Sequence, residues 1–431
     1  MTSAVKPKVL IVAPNVSSRF GGEAFLPLKY FQIMKARDYP VKLVTHARNR
    51  QDLMQMFAPY LEDIILIDDT FWHKMVWNVG RIFPGRVAEN LTQILLDRID
   101  TLYQTGPIRQ LIAEGQVDLI HQPIPVSPLS PSSLYKYGKP LVIGPMNGDI
   151  NFPPGYRDYE KPFEALLLNL ARRFAPLINR LSPGKHQART LLVANPRTRE
   201  AISFLDHPHV VQLVENGVDL QLFEEPAPHR PGAPGRLRLV YMGRMPRWKA
   251  LDITLEAVAI ARSKGVDVAL DILGDGAQRK KLEKQTRSLG LEGQITFHGF
   301  VPQHRCAEVL HGSDALILNS LRECGGAVVL EAMSMGLPVI AADWGGPADY
   351  VDPECGILVH PVPRDSFAAR LADAMVRLAD DTALRAKMGQ AGIRRIHADF
   401  DWEKKVDTML GIYADAVRGE RAVSAAPRDD S

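Results

Sequence analysis

The chain has little of what marks a secreted, zinc-binding or membrane-spanning protein. Only three of its 431 residues are cysteine, Cys306, Cys324 and Cys355, an odd number in no CxxC spacing. That argues against a disulfide framework and a zinc site alike, and it fits a reducing, cytoplasmic compartment. No apolar run approaches the roughly 18–20 residues that cross a bilayer. The opening MTSAVKPKVLIVAP holds one short apolar stretch, Val9–Ala13, which reads as a buried strand rather than a leader. There is no HExxH and no Walker A lysine, so a metal centre is not expected. A compact Lys/Arg stripe interleaved with aromatics is also missing, which leaves nucleic acid out of the expected partners.

What is present is globular composition, 46% apolar and 23% charged. The length exceeds one ordinary core. Two domains are expected, residues 1–215 and 216–401, with a helix over 402–420 returning to the first. The net charge of +3 conceals an asymmetry: residues 1–200 hold 25 Lys/Arg against 17 Asp/Glu, and residues 201–431 hold 27 against 32. Either this is ordinary scatter, or the first half faces an anionic surface or acceptor.

Short apolar runs alternate with amphipathic segments, the pattern of parallel sheets covered by helices. In the first half the strand candidates are Val9–Ala13, Val41–Thr45, Ile64–Ile67, Leu119–His121, Leu141–Gly144, Leu191–Ala194 and Val210–Val214, with helices such as Glu23–Ala36 and Leu91–Glu114 between them. A Pro/Gly-rich stretch, Pro226–Gly235, reads as a linker. The series restarts with Leu237–Tyr241, Val268–Leu273, Ile295–Phe297, Ala315–Asn319, Pro338–Ala341 and Gly356–Val359. The fold class is therefore α/β, two doubly wound Rossmann-like domains in tandem. Ala422–Ser431 is a small, polar tail expected to be disordered.

In such sheets ligands bind beyond the carboxyl ends of the strands. The densest candidate is LILNSLRECGGAVVLEAMSMGLPVIAA, residues 316–342. A strand ends at Asn319, and Gly325-Gly326 open a helix beginning at Ala327. The unpaired N–H groups at such a helix start, with the positive end of its dipole, offer a seat for a diphosphate. Glu323 and Glu331 flank that seat, and a carboxylate accepts hydrogen bonds well from vicinal hydroxyls.

Glu323 and Glu331 with seven residues between them, together with VENGVDLQLF, YMGRMPRWKALD, ILGDGAQRKKLE and ITFHGFVPQ in that order, resemble the retaining glycosyltransferases of family four. The likeness is strong over about 210–360 and weaker before it. It implies the GT-B fold, with the two domains facing across a cleft, and transfer of a sugar from a nucleotide diphosphate donor with retention of anomeric configuration. By the same likeness Glu323 positions the sugar, Arg244 and Lys249 stabilise the leaving diphosphate, and Glu331 holds the ribose. Gly243, Gly274, Phe300, Val301, Gly325, Gly326 and Ala327 line the donor, with Phe300 and Val301 at the base. Gly21 and Gly22 approach the diphosphate from the first domain, and His121 contacts the transferred sugar. Lone glycine pairs and histidines are as often structural, so those last assignments stay open. Gly274-Asp275-Gly276 is equally well a plain turn. Arg247 is read as solvent-facing. Asn147 and Asp149 are acceptor candidates by position alone.

Two departures from the family stand out. Cys324-Gly325-Gly326 replaces the usual Gly-Phe-Gly, and Ala250 stands where glycine usually follows the lysine. No cofactor beyond the nucleotide sugar is expected. A UDP-sugar is favoured over GDP- or ADP-sugars, and the acceptor is a saccharide, a lipid-linked sugar or a small molecule, in cell-surface polysaccharide or glycolipid synthesis. The alternatives are a nucleotide-sugar epimerase on the same fold and a non-catalytic scaffold that binds a nucleotide sugar.

Two basic amphipathic segments, Phe71–Arg86 and Leu166–Leu181, carry aromatics or leucines beside Lys74, Arg172, Arg173 and Arg180. Their apolar faces either pack into the first domain or lie on the inner face of a membrane as a peripheral anchor.

Overall fold

A computed structural model describes residues 6–18, 22–80, 86–160, 162–220 and 232–419. Its strands are β1 Val9–Val12, β2 Val41–His46, β3 Ile64–Ile67, β4 Leu119–Gln122, β5 Leu141–Met146, β6 Thr190–Val193, β7 Val210–Gln212, β8 Arg236–Met242, β9 Asp267–Leu273, β10 Ile295–Gly299, β11 Ala315–Leu318, β12 Val339–Ala342 and β13 Gly356–Val359. Every strand foreseen in the sequence is present. They form a seven-stranded sheet in the order β3-β2-β1-β4-β5-β6-β7 and a six-stranded sheet in the order β10-β9-β8-β11-β12-β13. All the paired strands within both sheets run parallel.

The strand sequences explain why. VLIV in β1, ALIL in β11 and VIAA in β12 are buried at every position, as strands covered by helices on both faces must be. The order reverses between β1 and β4 in the first sheet and between β8 and β11 in the second. At such a reversal the connections leave in opposite directions and open a crevice.

The chain divides into two compact units. One holds residues 1–149, 162–215 and 403–431, and the other holds 150–161 and 216–402. Residues 150–161, assigned to the first domain from the sequence, pack in the second unit. Tyr156 Oη donates to Pro361 O at 2.8 Å, and Tyr159 Oη to Asp252 Oδ2 at 2.6 Å. Asp158 pairs with Arg247 Nη2 at 2.8 Å and with Arg364 Nη1 at 2.5 Å. Arg247 is exposed, as expected, and is also an ion-pair partner of Asp158. Of the foreseen linker, Pro226–Pro231 lies outside the described residues. Gly232 N donates to Asp314 Oδ1 at 2.8 Å. The tail from 420 also lies outside them.

The helix Trp402–Arg418 packs, from Glu403 on, with the first unit. Arg37 Nη1 pairs with Asp407 at 2.6 Å, and Lys405 Nζ donates to Val214 O at 2.7 Å. Tyr413 Oη lies 2.7 Å from His121 Nδ1, and His121 Nε2 lies 2.8 Å from Gly144 O. A carbonyl only accepts, so Nε2 carries the proton and Nδ1 accepts from the tyrosine. His121 is fully buried, and that burial lowers its pKa to about 4. Both ring nitrogens are used inside the unit, which makes the residue a core tie and leaves it no atom for a sugar. Tyr413→Phe would orphan Nδ1 in the core. It is expected to cost about 1–2 kcal/mol of stability in urea titrations, and an unchanged midpoint would show that the tie carries no energy.

Candidate functional site

The donor residues predicted in the second half lie on loops at the carboxyl edge of the second sheet, on both sides of its order reversal. β8 runs into Gly243 and Arg244 and then a short 3-10 turn, Arg247–Lys249. The neighbouring β11 runs into Asn319 and then Glu323. Lys249 Nζ and a Glu323 carboxylate oxygen form a direct ion pair, with both side chains largely shielded. The sequence assigns one to the phosphates and the other to the sugar, and the structure joins them. Leu321 N donates to Trp248 O at 2.8 Å, so the two loops are also tied through the backbone.

Asn319 is the staple beneath them. Fully buried, it accepts from Thr254 Oγ1 at 2.6 Å and donates to Ala250 O at 3.0 Å. That second bond fixes the turn after Lys249, where Ala250 stands at φ +52°. A left-handed conformation at a non-glycine residue costs about 1–2 kcal/mol, which is the physical reason glycine suits this position.

Glu323 is followed by Cys324, Gly325 and Gly326. Gly326, at φ +99°, caps the helix Ala327–Ser334. The loop after β12 closes over this turn. Gly346 N donates to Glu323 O at 2.7 Å, and a Cβ at Gly346 would sit 2.3 Å from Gly325 O. Only glycine allows that approach, and WGGP at 344–347 was a legible signal not taken up from the sequence.

On β8's other side, Gly274 N donates to Gly299 O at 2.7 Å and Met245 N to Asp275 O at 3.0 Å. The Gly274-Asp275-Gly276 segment thus acts as a turn that braces the Arg244 loop. A Cβ at Gly274 would lie 2.1 Å from Gly243 O. Arg244 is exposed, and its carbonyl accepts from Tyr241 Oη at 2.7 Å. Burial pushes the Tyr241 hydroxyl far above its ordinary range, with Glu323 adding to it, so Tyr241 stays a neutral donor. Phe300 is 84% exposed, and Val301 O receives the Cys306 thiol at 3.6 Å.

Glu331 lies half-buried on the helix Ala327–Ser334, and burial pushes its carboxyl up to about 7. Burial raises the Cys306 thiol, and the Glu331 charge adds to it.

The first unit is less generous. Gly21 lies outside the described residues, and Gly22 opens a short 3-10 turn at φ +55°. Asn147 is buried. Its Nδ2 donates to Glu215 Oε1 at 2.7 Å, and its Oδ1 accepts from Asn195 at 3.1 Å. Asp149 pairs with Arg172 at 2.7 Å. Internal bonds thus occupy both residues expected to meet the acceptor. One group among the described residues, His46, His73 and Asp100, has metal-like spacing, its ligand atoms lying within 4.8 Å of one another. Yet His46 Nδ1 accepts from Arg48 N at 3.1 Å and His73 Nδ1 from Thr70 N at 3.0 Å. With Nδ1 accepting, Nε2 carries the ring proton in each, so each offers a donor where a metal needs a lone pair. An Asp-x-Asp triplet, Asp399-Phe400-Asp401, closes the second unit. Phe400 is buried and its carbonyl accepts from Val218 N at 2.8 Å, so the triplet ends the π-helical segment Ile396–Phe400 and bridges to Val218.

With this geometry in place, the likenesses to known proteins are specific. Residues 228–395 match the family model described as Glycosyl transferases group 1, which spans the second sheet and the donor-side candidates from Gly243 to Glu331. A D-inositol 3-phosphate glycosyltransferase of Streptomyces avermitilis is 31% identical over 229 residues, covering 49% of this chain and 48% of that protein. A glycogen synthase of Mycobacterium tuberculosis is 29% identical over 235 residues, covering 54% and 55%. The chain thus spans about half the length of these two relatives. Anabaena HepE, solved in complex with UDP, superposes with a TM-score of 0.62 at 17% identity, over 95% of this chain and all of that one. The two-domain α/β architecture is the GT-B fold.

The raised Glu331 carboxyl has a stability consequence with a definite sign. Its ordinary pKa is 4.5 and its folded value about 7, so the folded state resists ionisation. Its contribution to stability is greatest at low pH and is lost as pH rises between those two values. Glu331→Gln is expected to raise Tm by about 2–4 °C near pH 8 and to leave it unchanged near pH 4. Equal shifts at both would remove burial as the cause.

Proposed function

We propose that the chain is a glycosyltransferase that moves a sugar from a nucleotide diphosphate donor to an acceptor hydroxyl with retention of anomeric configuration. The observation that carries this is the Lys249–Glu323 pair at the sheet reversal, beside the start of the helix Ala327–Ser334. A leaving nucleotide diphosphate gains negative charge as the glycosidic bond breaks. Fixed cations and helix N–H groups stabilise that charge without a metal. Lys249, exposed Arg244 and the helix start supply them. Glu323, held by Lys249, accepts sugar hydroxyls, and Glu331 accepts those of the ribose. In retention the acceptor attacks on the face the diphosphate leaves, and the leaving phosphate takes the proton. UDP is the favoured nucleotide, and synthesis of a cell-surface polysaccharide or glycolipid is the favoured setting.

Nucleotide release from UDP-, GDP- and ADP-sugars tests this directly. One donor class should turn over, in the presence of EDTA as in its absence. Lys249→Ala or Arg244→Ala should lower turnover on the order of 100-fold. Glu323→Ala should mainly lower kcat, and Glu331→Ala should also raise the donor KM. Loss of activity on chelation, restored by magnesium, would sink the cation account.

A peripheral membrane role is part of the same proposal, and one observation favours it. The helix Pro162–Leu181 turns Ala175 and Asn179 inward and exposes Phe163, Leu166, Leu170, Phe174, Leu177 and Leu181, the last at 77%. These recur at helical spacing on one face. The stripe points away from the unit's core, contrary to the packing alternative. Arg173 and Arg180 are exposed at its flank, whereas Arg172 is engaged with Asp149. The helix Phe71–Gly80 likewise exposes Phe71, Trp72, Met75 and Val79. No helix among the described residues is long and apolar enough to cross a membrane. An apolar stripe with flanking arginines fits an anionic lipid interface. The protein should co-sediment with phosphatidylglycerol vesicles, less as salt rises, and Arg173→Glu with Arg180→Glu should abolish this. Equal binding to neutral vesicles, or none at low salt, would overturn the anchor.

A further inference from the structure

Residues 150–161 pack in the second unit, and there they touch the loops that follow β8, β11, β12 and β13. Trp344 Nε1, after β12, donates to Asn151 O at 2.8 Å. Arg322, which immediately precedes Glu323, sets its guanidinium over the Phe152 ring at 5.5 Å, with Nη1 3.7 Å from Glu160 Oε1. The densest attachment is at the loop after β8. Arg247 donates to the Asp158 carbonyl and, through Nη2, to the Asp158 carboxylate at 2.8 Å. Its guanidinium lies 4.6 Å from the centre of the Tyr159 ring. Tyr159 Oη donates to Asp252 Oδ2 at 2.6 Å, in the first turn of the helix Leu251–Ser263.

Arg247 precedes Lys249 in the chain and Asp252 follows it, so two adjacent residues of the strap hold the Lys249 turn from both ends. The turn closes through Lys249 N to Pro246 O at 3.1 Å and Ala250 N to Arg247 O at 3.0 Å. It also carries Ala250 at φ +52°, a conformation that a side chain disfavours and that persists where its surroundings over-determine it. Asn319 holds Ala250 O, and the strap supplies further constraint. Asp158 and Arg247 are exposed, and an exposed ion pair alone is weak. Tyr159 is the stronger grip. It is 7% exposed, and burial, with the Asp252 charge adding to it, pushes its hydroxyl far above the ordinary range, so it stays a donor.

We propose that Asp158 and Tyr159 are positioning residues for Lys249: by fixing Arg247 and Asp252 they set where the Lys249 ammonium meets the leaving diphosphate. The effect on the reaction rests on the transferase reading, whereas the grip on the turn does not. An ammonium moves with the turn that carries it, and a displacement of about 1 Å in a reacting site can cost about 100-fold in rate.

Hydrogen exchange and nucleotide release, both on the full chain, test this. The donor is UDP-, GDP- or ADP-glucose, whichever the wild type turns over. With Asp158→Asn and Tyr159→Phe combined, the amides of Lys249 and Ala250 should exchange about tenfold faster. The same variant should lose about tenfold in kcat with the donor KM unchanged. In a Lys249→Ala background the two substitutions should alter kcat by less than about twofold, because no ammonium is left to place. Tyr156→Phe, which removes the strap's bond to Pro361 O, should leave the Lys249 and Ala250 amides at the wild-type rate. Unaltered exchange in the combined variant, an equal rise in Tyr156→Phe, or the same loss of kcat with and without Lys249 would each overturn the proposal. If the wild type turns over no donor, the transferase reading fails and the exchange result still decides the grip.

Discussion

Parallel pairing is the constraint from which the functional geometry follows. A parallel strand cannot be joined to its neighbour by a tight turn, so each connection returns along a helix and every strand of a sheet delivers its carboxyl end to one edge. In the second sheet this puts the loops after β8, β11 and β12 side by side, and the buried Asn319 amide locks two of them together. Removing that edge would leave Lys249 and Glu323 as two scattered surface charges.

The two edges solve different chemical problems. At the second sheet, the opposite charges of Lys249 and Glu323 neutralise each other, and on the proposed function they would exchange partners when the donor diphosphate arrives. That exchange is cheaper than building a charged site from nothing, because both side chains already sit in low-entropy positions. At the first sheet the polar atoms are few and buried in an apolar wall. There each hydrogen bond weighs more, since no water competes for it.

The strands and the loops at their carboxyl ends were legible because their signals are local. Continuous apolar runs such as VLIV and ALIL, and glycines beside charges at their ends, need no tertiary knowledge. The misses share a cause. A histidine at a strand end reads the same whether it faces a ligand or Tyr413, and the difference lies in a helix far along the chain. Helical spacing revealed that Leu166–Leu181 is two-faced, but periodicity does not say which face meets the core. Asp100 and His46 each look ordinary, since what joins them is the packing of a helix over a sheet edge. Asn147 and Asp149 were correctly placed at a strand end, yet Glu215 and Arg172 claim their hydrogen bonds.

The segment 150–161 sits in the second unit although the chain before and after it belongs to the first. The second unit is therefore not one continuous stretch of polypeptide. During synthesis, Tyr156 and Tyr159 emerge long before Pro361 and Asp252, the residues they bind, and must wait for them. A piece cut at the apparent linker would leave Arg247 and Arg364 without Asp158 and leave the Tyr156 hydroxyl's acceptor bare. The excursion makes the unit's integrity a property of the whole chain. A gene fragment that preserves it must carry residues 150–161 along, grafted or co-expressed.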